Sequence, residues 1–437
     1  MRISSKLLAA GGLVAALAAF FLALPEPGDR QGAATGGAFA IRGARVFDGE
    51  QVLPKATVLV RDGRIEAVGR NLEIPAGVAI IEAAGRTLLP GLIDSHVHAW
   101  GSALVDALNF GVTTTLGMFG DPAMLRELKP HRESLAPVAF ADHFSSGWLA
   151  TVPGGHGTQF GLPVPTLTTP AEAAPWVEAR LAEGSDYIKI VYEPKGAGGL
   201  GPPFPSLDAP TMQALIEATK ARSRPAVVHI SRLEPARTAL EAGADGLVHV
   251  FADRPIDEAF LALAVGRGAF VTPTLAVTAS IAGEGEGAAL ALDPRVAPFL
   301  SPDQQRTLTQ VVQHRLAFLN PAVGLDATRR LAAAGVDILA GSDAPNPGTA
   351  QGVSLHHELA MLVRAGLTPV EALVAATSAP ARRFGLQERG RIAPGMRADL
   401  LLVAGDPTTD IGATLDIERI WKNGAPVERR RYTPTTP

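Results

Sequence analysis

The chain has no cysteine. Disulfides, thiolate zinc sites and lipid attachment through sulfur are therefore excluded, and any metal must be held by histidine, carboxylate or a less usual ligand. Charge is sparse as well, at 19% of residues with a formal net charge of −4. That is too small and of the wrong sign for a nucleic-acid surface, and the basic residues are scattered. Their one run, Arg429-Arg430-Arg431, reads as a solvated tail. No Gly-x-Gly-x-x-Gly follows an early strand, which lowers the case for a doubly wound dinucleotide fold. No short-period repeat is evident.

What is present is apolar: 47% hydrophobic residues over 437 positions, enough for a large core. The length suits two or three domains, or one large barrel with an accessory. Arg2 and Lys6 precede an apolar run from Leu7 to Leu24 that Pro25 closes. This is the pattern of a leader, so the protein is expected to be exported, facing outside the cytoplasm in the periplasm or beyond. The run is long for a signal peptide and just long enough for a membrane span, so residues 1–24 read either as a cleaved signal or as a membrane anchor. Residues 25–40 read as a Gly/Ala/Pro-rich linker.

From 41 to 87 the chain reads as short hairpin strands, with Asp48-Gly49 and Asp62-Gly63 as turn signals. Strand-like stretches recur in 390–437, at Ala398–Val403 and Ile420–Val427. Both chain ends are thus expected to build one small β-sandwich. Between them, 88–389 alternates strand and helix. The expected strands are Leu88–His98, Thr113–Phe119, Pro137–Phe144, Asp186–Tyr192, Ala226–Ile230, Gly246–Phe251, Ala269–Leu275 and Asp337–Ala344. Eight strands with interleaved helices predict an α/β chain whose main body is a (β/α)8 TIM barrel. Helices are expected over Asp208–Arg222 and Glu234–Ala242. The stretch 278–320, with a helical run around Gln304–Leu319, is long for a connection and reads as an insertion over the barrel mouth, a candidate lid.

In such a barrel, catalytic groups sit at the C-terminal ends of strands. The first expected strand ends in His96 and His98, and side chains at i and i+2 of a strand share a face, so the two imidazoles can share a metal ion. Lys189 lies on the fourth strand, His229 on the fifth, His249 on the sixth and Asp343 on the eighth. One such histidine alone reads better as a hydrogen-bonded core residue; a set of them on one rim does not. Lys189, between Ile188 and Ile190, faces a costly interior. Three readings are open for it: snorkelling to the rim, pairing with a carboxylate, or combining with CO2 as a neutral amine to give an anionic carbamate.

His-x-His after the first strand, Lys on the fourth, His on the fifth and sixth and Asp on the eighth resemble the amidohydrolase superfamily. So do Gly390-Arg-Ile-Ala-Pro-Gly-Met-Arg-Ala-Asp-Leu-Leu-Leu-Val403, Leu355-His-His-Glu-Leu359 and Gly366-Leu-Thr-Pro-Val-Glu-Ala-Leu373. The resemblance covers nearly everything from residue 41 onward. It is strongest to the branch of prolidase-like dipeptidases and acyl-amino-acid carboxypeptidases, to which Gly154-Gly-His-Gly157 is also similar. It implies two divalent metal ions, of which zinc is expected. One would be held by His96, His98 and Asp343, the other by His229 and His249, with carboxylated Lys189 and a hydroxide between them. It further implies attack on an amide of a dipeptide or N-acyl amino acid, with Asp343 as catalytic residue carrying the proton to the leaving group. The alternatives are a lactone, a cyclic amide in the manner of imidazolonepropionase, a phosphotriester, or a non-catalytic scaffold. The partner expected is a small-molecule substrate; a homo-oligomer is open. Candidate substrate contacts are His143, His156, Tyr192 and Arg232, the last as a bidentate carboxylate binder. His356 and Glu358 share a helix and read either as support behind the metal ligands or as a solvated face.

Overall fold

The computed structural model describes residues 37–194, 204–312 and 316–432. The expected leader, 1–24, and most of the expected linker lie outside the described residues. Among the described residues no helix is long and apolar enough to cross a membrane.

Five strands open the chain: β1 (Phe39–Phe47), β2 (Val52–Arg61), β3 (Arg64–Gly69), β4 (Ala79–Glu82) and β5 (Arg86–Pro90). Asp62 and Gly63 join β2 to β3 with φ of 50° and 78°. Positive φ at both central residues is the two-residue hairpin turn whose twist matches the strands, and Asp-Gly adopts it readily. Eight shorter parallel strands follow: β6 (Leu92–Val97), β7 (Val112–Gly117), β8 (Asp142–Ser145), β9 (Ile188–Val191), β10 (Ala226–His229), β11 (Gly246–Val248), β12 (Phe270–Thr272) and β13 (Asp337–Ile338). Finally β14 (Leu400–Ala404), β15 (Ile417–Lys422) and β16 (Ala425–Val427) return to the first group. There β14 pairs antiparallel with β5, Leu401 opposite Leu89. The chain ends therefore share one hydrogen-bonded sheet, and Ile41, Val46, Val58, Leu88, Leu400 and Trp421 lie in its own apolar core.

The parallel strands pair in sequence order, β6-β7-β8 and β9 through β13. Two seams close them into a barrel. At one, Ala150 donates to the Lys189 carbonyl (2.8 Å) and accepts from Val191 (3.0 Å). At the other, Ser95 donates to Ala340 (2.8 Å) and His98 to Ala344 (2.7 Å). A helix follows each strand: 103–109, 122–133, 173–182, 209–220, 233–241, 258–266, 321–333 and 353–364. Asp208 caps the fourth through Thr211 N, as its sequence predicts. The helix from Leu233 ends at Glu241, just before Gly243 with its φ of 93°.

Three local expectations change. The single strand read from Leu88 to His98 is two, divided at Gly91. A Cβ at Gly91 would stand 2.2 Å from Thr113 Oγ1, so the chain passes from sheet to barrel where only glycine fits. The insertion expected from Thr278 begins inside a helix: Leu275–Ala282 contains Thr278, followed by Gly287–Leu292 and Pro302–Thr309. The last helix stops before Val311-Val312, β-branched residues that favour helix less. Leu300 and Leu308 of the insertion pack on Phe110 and Val353. Gln304 donates to Gln351 O (2.7 Å), and Gln351 in turn to His98 O (3.0 Å), so the insertion rests against the loop after β13. Finally, the arginine run is docked at its first residue, while Arg430 and Arg431 are exposed. Arg429 donates to Asn109 O (2.9 Å), an end carbonyl of the helix 103–109, and lies 3.5 Å over the Phe299 ring. An orphan helix carbonyl and an aromatic face are both good partners for a guanidinium.

Buried polar side chains tie sheet to barrel. Lys422 has no exposed side-chain surface and sits 2.9 Å from both Asp142 on β8 and Asp399. His356 donates through Nε2 to Phe110 O (2.8 Å) and bonds Thr414 through Nδ1 (2.9 Å). Both ring nitrogens are thus engaged away from the expected metal ligands, and burial lowers its pKa to about 4. The folded state thus resists protonating His356 while the unfolded chain, with its pKa near 6.5, does not. Stability from this residue is complete above that value and is lost as pH falls toward 4, by about 2 kcal/mol at about pH 5. Denaturant unfolding of His356→Gln should show a flatter pH dependence than the parent by about that amount. An identical slope would show that His356 is not held neutral.

Candidate metal centre and active site

The mouth of the barrel collects the ionisable side chains that its strand ends carry. Along β9, odd and even residues face opposite ways. Ile188, Ile190 and Tyr192 join the apolar layer between barrel and helices, while Val191 packs with Phe119 and Trp148 inside. Lys189 shares the inner face. Its amine lies 3.3 Å from His96 Nε2, and burial lowers its pKa to about 8.

His98 Nε2 is 3.0 Å and His96 Nε2 3.2 Å from Asp343 Oδ1. These three form a group whose ligand-type atoms all lie within 4.8 Å of one another. Asp343 takes φ of 52°, a left-handed conformation that Asp enters more readily than most residues. Burial alone would raise its pKa, but the His98 bond and favourable electrostatic interactions with the His249, His98 and Lys189 side chains outweigh it and hold the carboxyl below its ordinary value. His249 Nε2 lies 3.2 Å from His229 Nδ1. Burial drives the pKa of His96 and His229 well below the usual value and that of His249 to about 4. All three are therefore neutral imidazoles, the form that ligates metal.

The tautomer of His249 follows from its neighbour. Thr274 gives its single hydroxyl proton to Pro273 O (2.8 Å), so it accepts from His249 Nδ1–H. The lone pair of His249 is then on Nε2, facing His229. Thr274 itself precedes the helix Leu275–Ala282, whose first amides Leu275 N and Ala276 N donate to Glu358 (2.9 and 2.8 Å). Burial raises the Glu358 pKa to about 8. Asp94 does similar work on the other side. It accepts from Ser342 N (2.9 Å), Ser342 Oγ (2.6 Å) and His96 N (3.2 Å), fixing the spacing between His96 and Asp343.

These residues fit a metal site on their own chemistry. Imidazole nitrogens and a carboxylate oxygen face one another at 3.0–3.2 Å. Tetrahedral zinc with bonds of about 2.0–2.1 Å sets its ligand atoms roughly 3.3 Å apart, close to that spacing. His96 Nδ1, His98 Nδ1 and His229 Nε2 are buried without hydrogen-bond partners.

Of the expected substrate contacts, His156 is beside the cluster. Its ring centroid lies 5.0 Å from that of His229, and burial, with the nearby Lys189 and His98 charges, lowers its pKa to about 3. Arg232 precedes the helix after β10, with its guanidinium 3.7 Å over the ring of Phe318 from the insertion. Two other candidates are placed in the walls. Tyr192 lies on the helix side of β9, in the apolar layer with Ile188 and Ile190, where its hydroxyl bonds Thr238; strand alternation turns it away from Lys189's face. His143 bonds Thr115 Oγ1 (2.9 Å) on β7 and packs against Gly117, and the charge that acts on it is Arg132. The sequence reading missed Glu193, whose carboxylate is 3.8 Å from both His229 Nε2 and Arg232 Nη1. Burial raises its pKa to about 7 against the pull of Ser231 and Arg232. The signal was available: 189, 191 and 193 share one parity. Asp94 shares the parity of His96 and His98, but its bonds to Ser342, like that of Thr274 to His249, depend on partners distant in sequence.

A sequence profile described as the amidohydrolase family matches residues 87–427. The chain is 27% identical over 443 aligned positions to an imidazolonepropionase of Deinococcus deserti, covering 93% of this chain and 97% of that protein. Among solved structures it is similar to a Xaa-Pro dipeptidase with methionine bound in its active site, at a TM-score of 0.69 and 21% identity over 90% of this chain and 100% of that one. It is likewise similar to molinate hydrolase, at 0.71 and 21% over 90% and 95%. At those identities the two structures speak to the fold.

Proposed function

This chain belongs to the amidohydrolase family and is a hydrolase of carbon–nitrogen bonds, and from that premise we propose that it is a binuclear metal enzyme that opens the amide of a dipeptide or N-acyl amino acid. In this reading His96, His98 and Asp343 would hold one divalent ion, His229 and His249 would hold the second, and the carbamate of Lys189 would supply a further anionic ligand. Zinc is the ion that His and Asp ligands in this arrangement suit. Such a pair supplies a nucleophilic water at neutral pH and polarises the scissile carbonyl.

The protein's own groups do the rest. Asp343, with its pKa held down, is a base at neutral pH and can take a proton from the nucleophile and release it to the leaving nitrogen. Neutral His156 offers one N–H beside the cluster to the developing oxyanion. Arg232 offers a charged fork to a substrate carboxylate, steadied by Glu193 and Phe318. Phe318, from the insertion, supports a lid role for that segment by covering Arg232.

The observation that carries the reading is Lys189. A buried amine with its pKa lowered to about 8 has neutral form available to combine with CO2, losing one proton to give an anion. It stands 3.3 Å from a ligand histidine, where an ammonium would repel a metal ion and a carbamate would bind one. A second reading, cyclic-amide hydrolysis at a single ion, is favoured by the Deinococcus deserti relative. Protein loaded with zinc in bicarbonate decides between them. Two ions per chain, with amino acids released from a dipeptide and N-acyl amino acid library, is the expected result. One ion per chain with turnover of cyclic amides alone would replace it with the second reading. The apolar run Leu7–Leu24 supports export, as signal or anchor, and with it a substrate met outside the cytoplasm.

A further inference from the structure

Aromatic residues are only 5% of this chain, yet four of them gather beside the cluster. Trp100, Phe119 and Trp148 follow the ends of β6, β7 and β8, and Phe160 lies in the loop after β8. Phe119 is the hub. Its ring centroid is 6.1 Å from Trp100, 5.6 Å from Trp148, 6.0 Å from Phe160 and 6.4 Å from His98. Leu149 and Val191 complete the patch, with Leu162 and Val164 packed against it. One quadrant of the mouth, at the ends of β6 to β9, is thus an apolar wall that begins at a metal-type ligand. The next, at the ends of β9 and β10, is charged through Glu193 and Arg232.

Phe160 is not a core residue. It is 51% exposed, and the other large apolar side chains left exposed among the described residues, Ile80, Val265, Leu292 and Val311, are aliphatic. Its loop has glycines at 154, 157 and 161 with φ of 70°, 99° and 71°. The same loop sets His156 against His229 and Phe160 against Phe119. One segment therefore spans the catalytic cluster and the aromatic wall, leaving an aromatic face open to solvent beside both. An exposed aromatic face costs free energy until something apolar covers it.

Resting on the amide-hydrolase reading above, we propose that the wall of Trp100, Phe119, Trp148 and Phe160 is the specificity pocket, which takes a bulky apolar group, aromatic or branched, of the amide substrate. A single methylene in an apolar pocket is worth about 10–200-fold in kcat/KM, so a whole ring is expected to give at least that.

The test has two arms, both on the zinc-loaded full chain. In the first, kcat/KM is measured for Ala-Ala, Ala-Phe, Phe-Ala and Ala-Glu. One of the two Phe-bearing dipeptides is expected to exceed Ala-Ala by about 10-fold or more, and Phe160→Ala and Trp100→Ala to shrink that ratio at least several-fold. In the second, binding of 3-phenylpropionate and propionate is followed by calorimetry and tryptophan fluorescence. The phenyl compound is expected to bind at least about tenfold tighter, and the margin to collapse in Phe160→Ala. Amide turnover without any preference for Phe over Ala overturns the pocket and leaves the amide reading intact. Selective binding of 3-phenylpropionate that depends on Phe160, with no amide hydrolysed, upholds the pocket and overturns the amide reading. A preference that survives Phe160→Ala, Trp100→Ala and Phe119→Ala also overturns the pocket.

Discussion

Replacing Asp343 by Asn is expected to lower kcat by about 10²–10⁴-fold while the chain still folds. Asn has the same shape and can still meet His98 Nε2, 3.0 Å from Oδ1 in the parent. What it lacks is the capacity to accept a proton. In the parent that capacity is preserved at neutral pH because the His98 bond and the electrostatics of the neighbouring side chains outweigh desolvation. Asp343 is also placed to hold metal, so the experiment needs two readings from one preparation: metal content and single-turnover rate. Retained metal with lost turnover identifies the proton carrier. Lost metal with turnover restored by excess zinc would reduce Asp343 to a ligand, and near-normal turnover without added metal would remove it from both roles.

The second large effect is expected at Lys189. Lys189→Met should reduce metal content from two ions toward one or fewer and take turnover down by a similar factor of about 10²–10⁴. Its stability without metal should be unchanged or higher, because a buried charged group replaced by an apolar one of similar volume often costs nothing. That separates loss of a bridge from loss of the fold. The carbamate makes a further demand. Wild-type protein stripped of CO2 should lose metal and activity together and regain both on adding bicarbonate. Lys189→Ala, which leaves a gap, should regain part of its activity with a small carboxylate such as propionate. Two metals and full turnover in Lys189→Met would end the binuclear reading that Lys189 carries.

Asp343 and Lys189 are legible as candidates from residue types alone because each lies in a stretch that reads as an apolar strand. A strand's alternation is a local property, readable from residue types alone, and the barrel's rule that strand ends carry the chemistry converts it into a site. By the same alternation Glu193 was legible, two positions beyond Val191 on the face of Lys189, and Tyr192 was legible as facing the helices. Those were errors of reading, not of information. The two framing ends were legible too: the Asp62-Gly63 turn has the φ values its residues favour, and β14 returns to pair with β5.

Other features belong to the tertiary structure. Nothing local to Gly91 announces that Thr113 will stand against it and force the chain out of one sheet into another. Arg429 reads as tail until Phe299 and the Asn109 carbonyl are brought under it from more than a hundred residues away. Thr274 sets the tautomer of His249, and Asp94 holds Ser342 beside His96, through contacts between different strands. The sequence by itself determined which side chains can ligate, transfer protons and face inward, because those follow from residue chemistry and a two-residue period. Only the closed barrel decided their distances and charge states, because these depend on which distant groups share a desolvated space, and no segment carries that information alone.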